Sequence, residues 1–114
     1  MLREDDRIRL QHMLDASNSA LRFASGRERE DLGRDEMLTF SLVRALQVIG
    51  EAAVQVSEGS RLALPDIPWR QMVSMRHRLV HAYFDVDLDR VWDTVVHFVP
   101  SLVRQLEAAL ERGR

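Results

Sequence analysis

Hydrophobic positions recur along most of the chain at the three-to-four-residue spacing of an α-helix. Leu10, Leu14, Ser17, Leu21 and Ala24 form one such stripe. It predicts a first helix over 4–25, with Asp5 or Asp6 capping its start and Gly26 stopping it. The charged stretch SGRERED at 25–31 reads as a connection. A second helix is predicted over 34–57 and is apolar on most sides, with one narrow polar line at Arg44, Gln47, Glu51, Gln55 and Glu58. A helix so widely apolar is central, or buries a second face against another chain. Gly50 inside it costs about 1 kcal/mol relative to Ala, a cost explained if another helix crosses closely there. The Glu51 line either faces a basic neighbour and balances Arg76, or is a solvated face.

Breakers fill 58–68 (Gly59, Ser60, Pro65 and Pro68), so this segment reads as a loop. A third helix follows over 68–82, because Pro68 is tolerated in a first turn. The segment 84–87 is a connection, with Asp87 as N-cap of a fourth helix. That helix buries Leu88, Val91, Trp92, Val95, Val99, Leu102, Leu106 and Leu110, and Pro100 should kink it. Four helices joined by short links predict an all-α, antiparallel up-and-down four-helix bundle.

Length and composition narrow the picture. The 114 residues predict a single domain over 1–114. A chain of this size buries only about 60–70% of its unfolded surface, so oligomerisation would help. A net charge of −2 argues against non-specific nucleic-acid binding by the whole surface. The absence of cysteine excludes disulfides and thiolate metal sites. The start MLREDDR does not read as a signal peptide, and no uninterrupted apolar run approaches about 20 residues. A cytoplasmic protein with no membrane partner is the expectation.

The chemistry concentrates in 68–84, PWRQMVSMRHRLVHAYF. This stretch holds Arg70, Arg76, Arg78, His77, His81 and Tyr83 and no acidic residue, although Asp66 and Asp85 bracket it. Positive and proton-transferring groups without acids suit an anion, of which phosphate is the commonest. Arg76 and His81 lie five positions apart, about 140° around a helix. They converge only if the helix loosens near His81 or if a second copy of the helix lies against the first, which predicts a homodimer with its site on the two-fold axis. A metal site from His77, His81 and Asp85 is opposed by the neighbouring Arg76 and Arg78, so no metal or other cofactor is assigned.

The set Arg76, His81 and Tyr83 in R-x4-H-x-Y spacing, with ALQVIGEAA at 45–53, IPW at 67–69 and YFDVDLDRVWDTV at 83–95, resembles the HepT-like RNase toxins of the HEPN superfamily. The likeness spans roughly 37–106. It implies a HEPN-like helical homodimer and a metal-independent endoribonuclease, with His81 in acid–base work and Arg76 on the phosphate. Arg78 and His77 would then be substrate contacts. The resemblance also implies a partner, a minimal nucleotidyltransferase antitoxin that attaches AMP to Tyr83. The alternative expectation is a non-catalytic module that binds nucleotide or RNA and docks a nucleotidyltransferase.

Overall fold

The computed structural model describes residues 2–81 and 87–112, the side chains of 80 and 81 excepted. Every regular element among them is helical. Helix α1 spans Glu4–Ala24, α2 Glu36–Gln55, α3 Glu58–Ala63, α4 Trp69–His81, α5 Leu88–Asp93 and α6 Val99–Arg112. A 3-10 turn, Arg29–Gly33, precedes α2, and a π-helical turn, Thr94–Phe98, joins α5 to α6. The domain measures 45 × 29 × 19 Å. Its smallest dimension accommodates two layers of helices with axes about 8–10 Å apart. Within the domain α1 packs against both α2 and α6, while α4 rests mainly on α2.

The core follows the apolar periodicities, with adjustments. In α1 the buried stripe is Leu10, Met13, Ser17 and Ala20. It is turned slightly from the expected one, and Leu14, Leu21 and Ala24 lie half-buried at its edge. In α2 eight residues from Leu38 to Ala53 are buried, Gly50 among them. This helix is long and apolar enough on average to cross a membrane, yet it is the helix against which both α1 and α4 pack. The predicted stripe of the last helix is buried at Val91, Val95, Val99, Leu102, Leu106 and Leu110. Pro100 has no N–H, and its ring crowds the carbonyl four residues earlier. The π-helical turn just ahead of it widens the hydrogen-bond register at that point, and the helix continues to Arg112.

Two expectations need correction. The start of α1 is not capped by Asp5 or Asp6; Arg3 holds the cap position and provides no side-chain bond. Asp6 is instead buried, at 3% exposure. Its carboxylate accepts hydrogen bonds from the Ser57 N–H at 2.9 Å, the Ser57 hydroxyl at 2.6 Å and the Ser60 hydroxyl at 2.6 Å. The same contact explains the second correction, because 58–68 is not all loop. Residues Glu58–Ala63 form the short helix α3, with Ser57 as N-cap. A helix of six residues does not hold by itself. The Asp6 carboxylate at its first turn supplies charge and hydrogen-bond acceptors from the core side. Other expected punctuation is observed. Gly26 adopts a φ of +74° after α1, and Asp87 caps α5 by accepting from the Arg90 N–H at 3.1 Å.

The expected close crossing at Gly50 is present. A Cβ built at Gly50 would lie 2.2 Å from Arg76 Cβ and 3.0 Å from the Met72 carbonyl oxygen. Those atoms belong to the rigid part of α4, so no side-chain rotation relieves the overlap. A second pin holds the start of α4. Arg61 donates to the carbonyls of Ala53, Val54 and Val56 at the end of α2 at 2.9–3.1 Å, and its guanidinium lies 5.9 Å from the Trp69 ring centroid. The Trp69 indole N–H donates to the Leu64 carbonyl at 3.0 Å.

Gly50→Ala is expected to destabilise the fold by about 1–3 kcal/mol in urea unfolding, overriding the usual helix gain of about 1 kcal/mol. Burial pushes the Asp6 carboxyl up, but the Ser57 and Ser60 hydrogen bonds and the charge of Arg3 outweigh it and hold the group below its ordinary 3.8. A depressed folded value means that this stabilisation is complete above about pH 4 and is lost as pH falls through the folded value. Asp6→Asn should therefore lower stability by about 1–3 kcal/mol at neutral pH and flatten the acid limb of a stability–pH curve.

Candidate active site

Helix α4 sorts its residues by angle. Met72, Met75 and Leu79 are buried and define its inner side. Arg76 follows Met72 by one turn, so its stem is carried against α2 at Gly50. The residue is half-buried, and its Nε is shielded from solvent with no hydrogen-bond partner among the described residues. Glu51 does not balance it. That carboxylate pairs with Arg44 at 3.3 Å, along the solvated line of α2. The five ion pairs among the described residues engage only Arg27, Arg29 and Arg44. Arg70, Arg76 and Arg78 are in none of them, and α4 contains no acidic residue. A partly buried guanidinium without a counter-charge is costly to hold, and that cost is relieved by an arriving anion.

His81 is the last residue of α4, and the helix is regular up to it. No loosening before His81 brings its position round to Arg76 within one chain. Its side chain, and the whole of Tyr83 and Asp85, lie outside the described residues. His77 and Arg78 are both exposed, but they line different hollows. His77 borders one of about 590 Å³ with Arg61, Trp69, Arg70, Val73 and Ser74. Arg78 borders one of about 360 Å³ with Arg70, Gln71, Ser74, Met75, Thr94 and Phe98. Two positions along a helix amount to about 200°, so Arg78 stands on the opposite flank of α4 from Arg76.

The structure thus joins Arg70 to both predicted substrate residues and separates them from the inner flank of Arg76. Arg70, which the motif does not include, is shared by both hollows together with Ser74. Its signal was the i, i+4, i+8 series Arg70, Ser74, Arg78 on one helix face. Arg61 carried no such signal, since its role depends on the carbonyls at the end of α2. Chemically, Arg76 offers an anion contact beside a helix crossing, and the outer face offers a basic strip.

Comparison with known proteins gives one family model, Ribonuclease HepT-like, matching residues 13–109. Among curated proteins, "Probable ribonuclease HepT" of Thermococcus cleftensis is 42% identical over 78 residues, covering 68% of this chain and 71% of that protein. "Putative RNase TTE0752" of Caldanaerobacter subterraneus subsp. tengcongensis is 31% identical over 105 residues, 92% of this chain and 94% of that one. "Putative RNase MJ1380" of Methanocaldococcus jannaschii is 29% identical over 107 residues, 94% of this chain and 98% of that one. No solved structure matches the chain.

Arg76→Met keeps the stem that packs on Gly50 and removes the shielded, unpartnered Nε. Urea unfolding should find this variant at least as stable as the parent, by up to about 1–2 kcal/mol. A loss of stability would mean that the guanidinium has a structural partner.

Proposed function

This chain belongs to the HepT-like ribonuclease family and is a ribonuclease, and from that premise we propose a metal-independent endoribonuclease that acts as the toxin of a toxin–antitoxin pair. The observation that carries the mechanistic part is Arg76, drawn against the α2–α4 crossing with a shielded Nε and no counter-ion among the described residues. RNA supplies its own nucleophile. A base takes the proton of the 2′-OH, the 2′-oxygen bonds to phosphorus, and the bond from phosphorus to the 5′-oxygen breaks. An acid protonates that leaving oxygen, and the products are a cyclic phosphate and a 5′-hydroxyl. Arg76 holds the phosphate oxygens as charge builds on them. His81 performs the proton transfers, since an imidazole ionises near neutral pH.

The reading includes a homodimer. Each copy would be a HEPN-like four-helix bundle of α1, α2, α4 and the run from α5 to α6. Supporting it, α2 has an open arc beside Gly50. Val43, Gln47 and Val54 share Gly50's stripe, the first two half-buried and Val54 exposed. A second copy covering this arc would bring its own α4 to Arg76. A minimal nucleotidyltransferase antitoxin would silence the enzyme by attaching AMP to Tyr83. A bulky anion two residues from His81 repels a phosphate substrate.

The test is cleavage of RNA by purified protein in EDTA. His81→Ala and Arg76→Ala should each lose about 100-fold or more, and a DNA strand of the same sequence should survive. Mixing the two inactive variants should restore part of the activity, because a mixed dimer can pair an intact Arg76 with an intact His81 across the interface. Equal cleavage by parent and variants rejects the assigned roles, and two inactive variants that never rescue each other reject the shared site. Incubation with ATP and the nucleotidyltransferase should add the mass of AMP to the parent and not to Tyr83→Phe.

A further inference from the structure

The outer face of α4 carries a second feature that the cleavage chemistry leaves unused, the hollow between α4 and the π-helical turn. Its rim holds Arg70 and Arg78, both exposed and both without an acidic partner among the described residues. They lie two turns apart, about 12 Å along the helix axis. That spacing is too wide for a rigid grip on one phosphate, and the two flexible side chains can lean toward each other to meet the phosphates on either side of one nucleotide. The floor is apolar, formed by buried Met75 and half-buried Phe98. Gln71 and Ser74 add an amide and a hydroxyl on the rim. The Thr94 hydroxyl donates to the Arg90 carbonyl at 2.7 Å, which leaves its oxygen free to accept.

Among the described residues no acidic side chain lines the hollow. On the wall formed by the π-helical turn, the neighbouring acids Asp89 and Asp93 are both held by Arg29, the former at 3.0 Å; Asp66, one turn before Arg70, is exposed and lines no part of the hollow. The charged groups that line the hollow are therefore the two guanidiniums. About 360 Å³ falls at the small end of ligand sites and admits one base with its sugar, not a duplex. Cations that track a backbone, placed around an aromatic ring that can stack on a base, are the means by which proteins hold single strands without reading sequence. A π-helical turn in the wall is itself a feature that concentrates at functional sites.

We propose that this groove holds one nucleotide of a single-stranded RNA outside the cleaved step, its two bracketing phosphates on Arg70 and Arg78 and its base against Phe98. This rests on the reading that the chain acts on RNA, and it assigns the outer flank of α4 to positioning while the inner flank, at Arg76, meets the scissile phosphate. Two phosphate contacts distinguish a strand from a free mononucleotide, which offers only one phosphate position.

The experiment is fluorescence anisotropy of the full chain with a labelled 2′-O-methyl single strand, which binds but has no nucleophile and cannot be cut. Arg70→Ala/Arg78→Ala should weaken binding about tenfold or more and make the salt dependence shallower by about 1.4 in log–log slope, two contacts at about 0.7 each. Phe98→Leu keeps an apolar floor and removes the stacking face. It should weaken binding about fivefold or more, with its melting curve reporting an intact fold. Adenosine monophosphate in excess should fail to displace the strand. Unchanged affinity and slope in the double variant, beside a parent that cleaves RNA, would overturn the groove and leave the ribonuclease reading standing. Weakened binding in the groove variants, beside a parent that never cleaves, would keep the groove and overturn the catalytic reading. Displacement by the mononucleotide would assign the groove to a free nucleotide and overturn the proposal.

Discussion

The contact between Gly50 and Arg76 governs both the packing of α4 and the setting of the candidate site. With no side chain at Gly50, α4 approaches until the Arg76 stem fills the place a Cβ would take. That approach also shields the Arg76 Nε. Any larger residue at 50 lifts α4 and re-aims the guanidinium, so one backbone position sets the core spacing and the direction of a charge. The Arg61 and Trp69 contacts act in the same sense at the start of the helix, since both tie it to the end of α2. Helix α4 is thereby fixed along one side and left open on the other.

This one-sided support has an electrostatic consequence. The inner stripe of α4 is narrow, at Met72, Met75 and Leu79. The remaining surface of the helix carries its arginines with no acidic residue on the same helix to neutralise them. Elsewhere in the fold some arginines are matched with aspartate, as in Arg27 with Asp31 and Asp35, or Arg29 with Asp89 and Asp93. A protein of net charge −2 therefore keeps one helix basic by placing its acids on other elements. Self-repulsion along α4 weakens the compact state slightly, and a polyanion laid on it reverses that effect. The arrangement favours local recognition over general adhesion to nucleic acid.

The long helices were legible because an apolar period near 3.6 leaves little else for a chain to do with it. The Gly50 crossing was legible for a related reason: a glycine in the middle of a strongly apolar helix needs a neighbour to justify it. What escaped depended on partners distant in sequence. Helix α3 hid behind Gly59 and Ser60, which read as breakers, because its support comes from Asp6 more than fifty positions away. Asp6 itself resembled a helix cap, and only the fold shows it turned inward. The Glu51 line gave no sign of whether it met Arg76 or solvent until Arg44 was seen to engage it. The π-helical turn was invisible for a different reason. A change of hydrogen-bond register by one residue barely alters the apolar period, and Pro100 by itself announces only that the ladder is disturbed.

The site motif presents the same division between what spacing fixes and what only packing reveals. R-x4-H fixes two positions about 140° apart on any regular helix, and α4 is regular to its end at His81. Arg76 is held on the inner flank by Gly50 and cannot swing toward the position of His81 without leaving α2. Folding of one chain therefore orients Arg76 but does not by itself bring the position of His81 onto the same face. On the proposed reading, association of two chains completes what folding leaves open. The guanidinium can then remain uncompensated in each copy, since the anion that relieves it is the substrate and the surface that encloses it is the other copy. On that proposal, a motif poorly spaced within one helix would be well spaced for a pair of helices, each supplying what the other's geometry withholds.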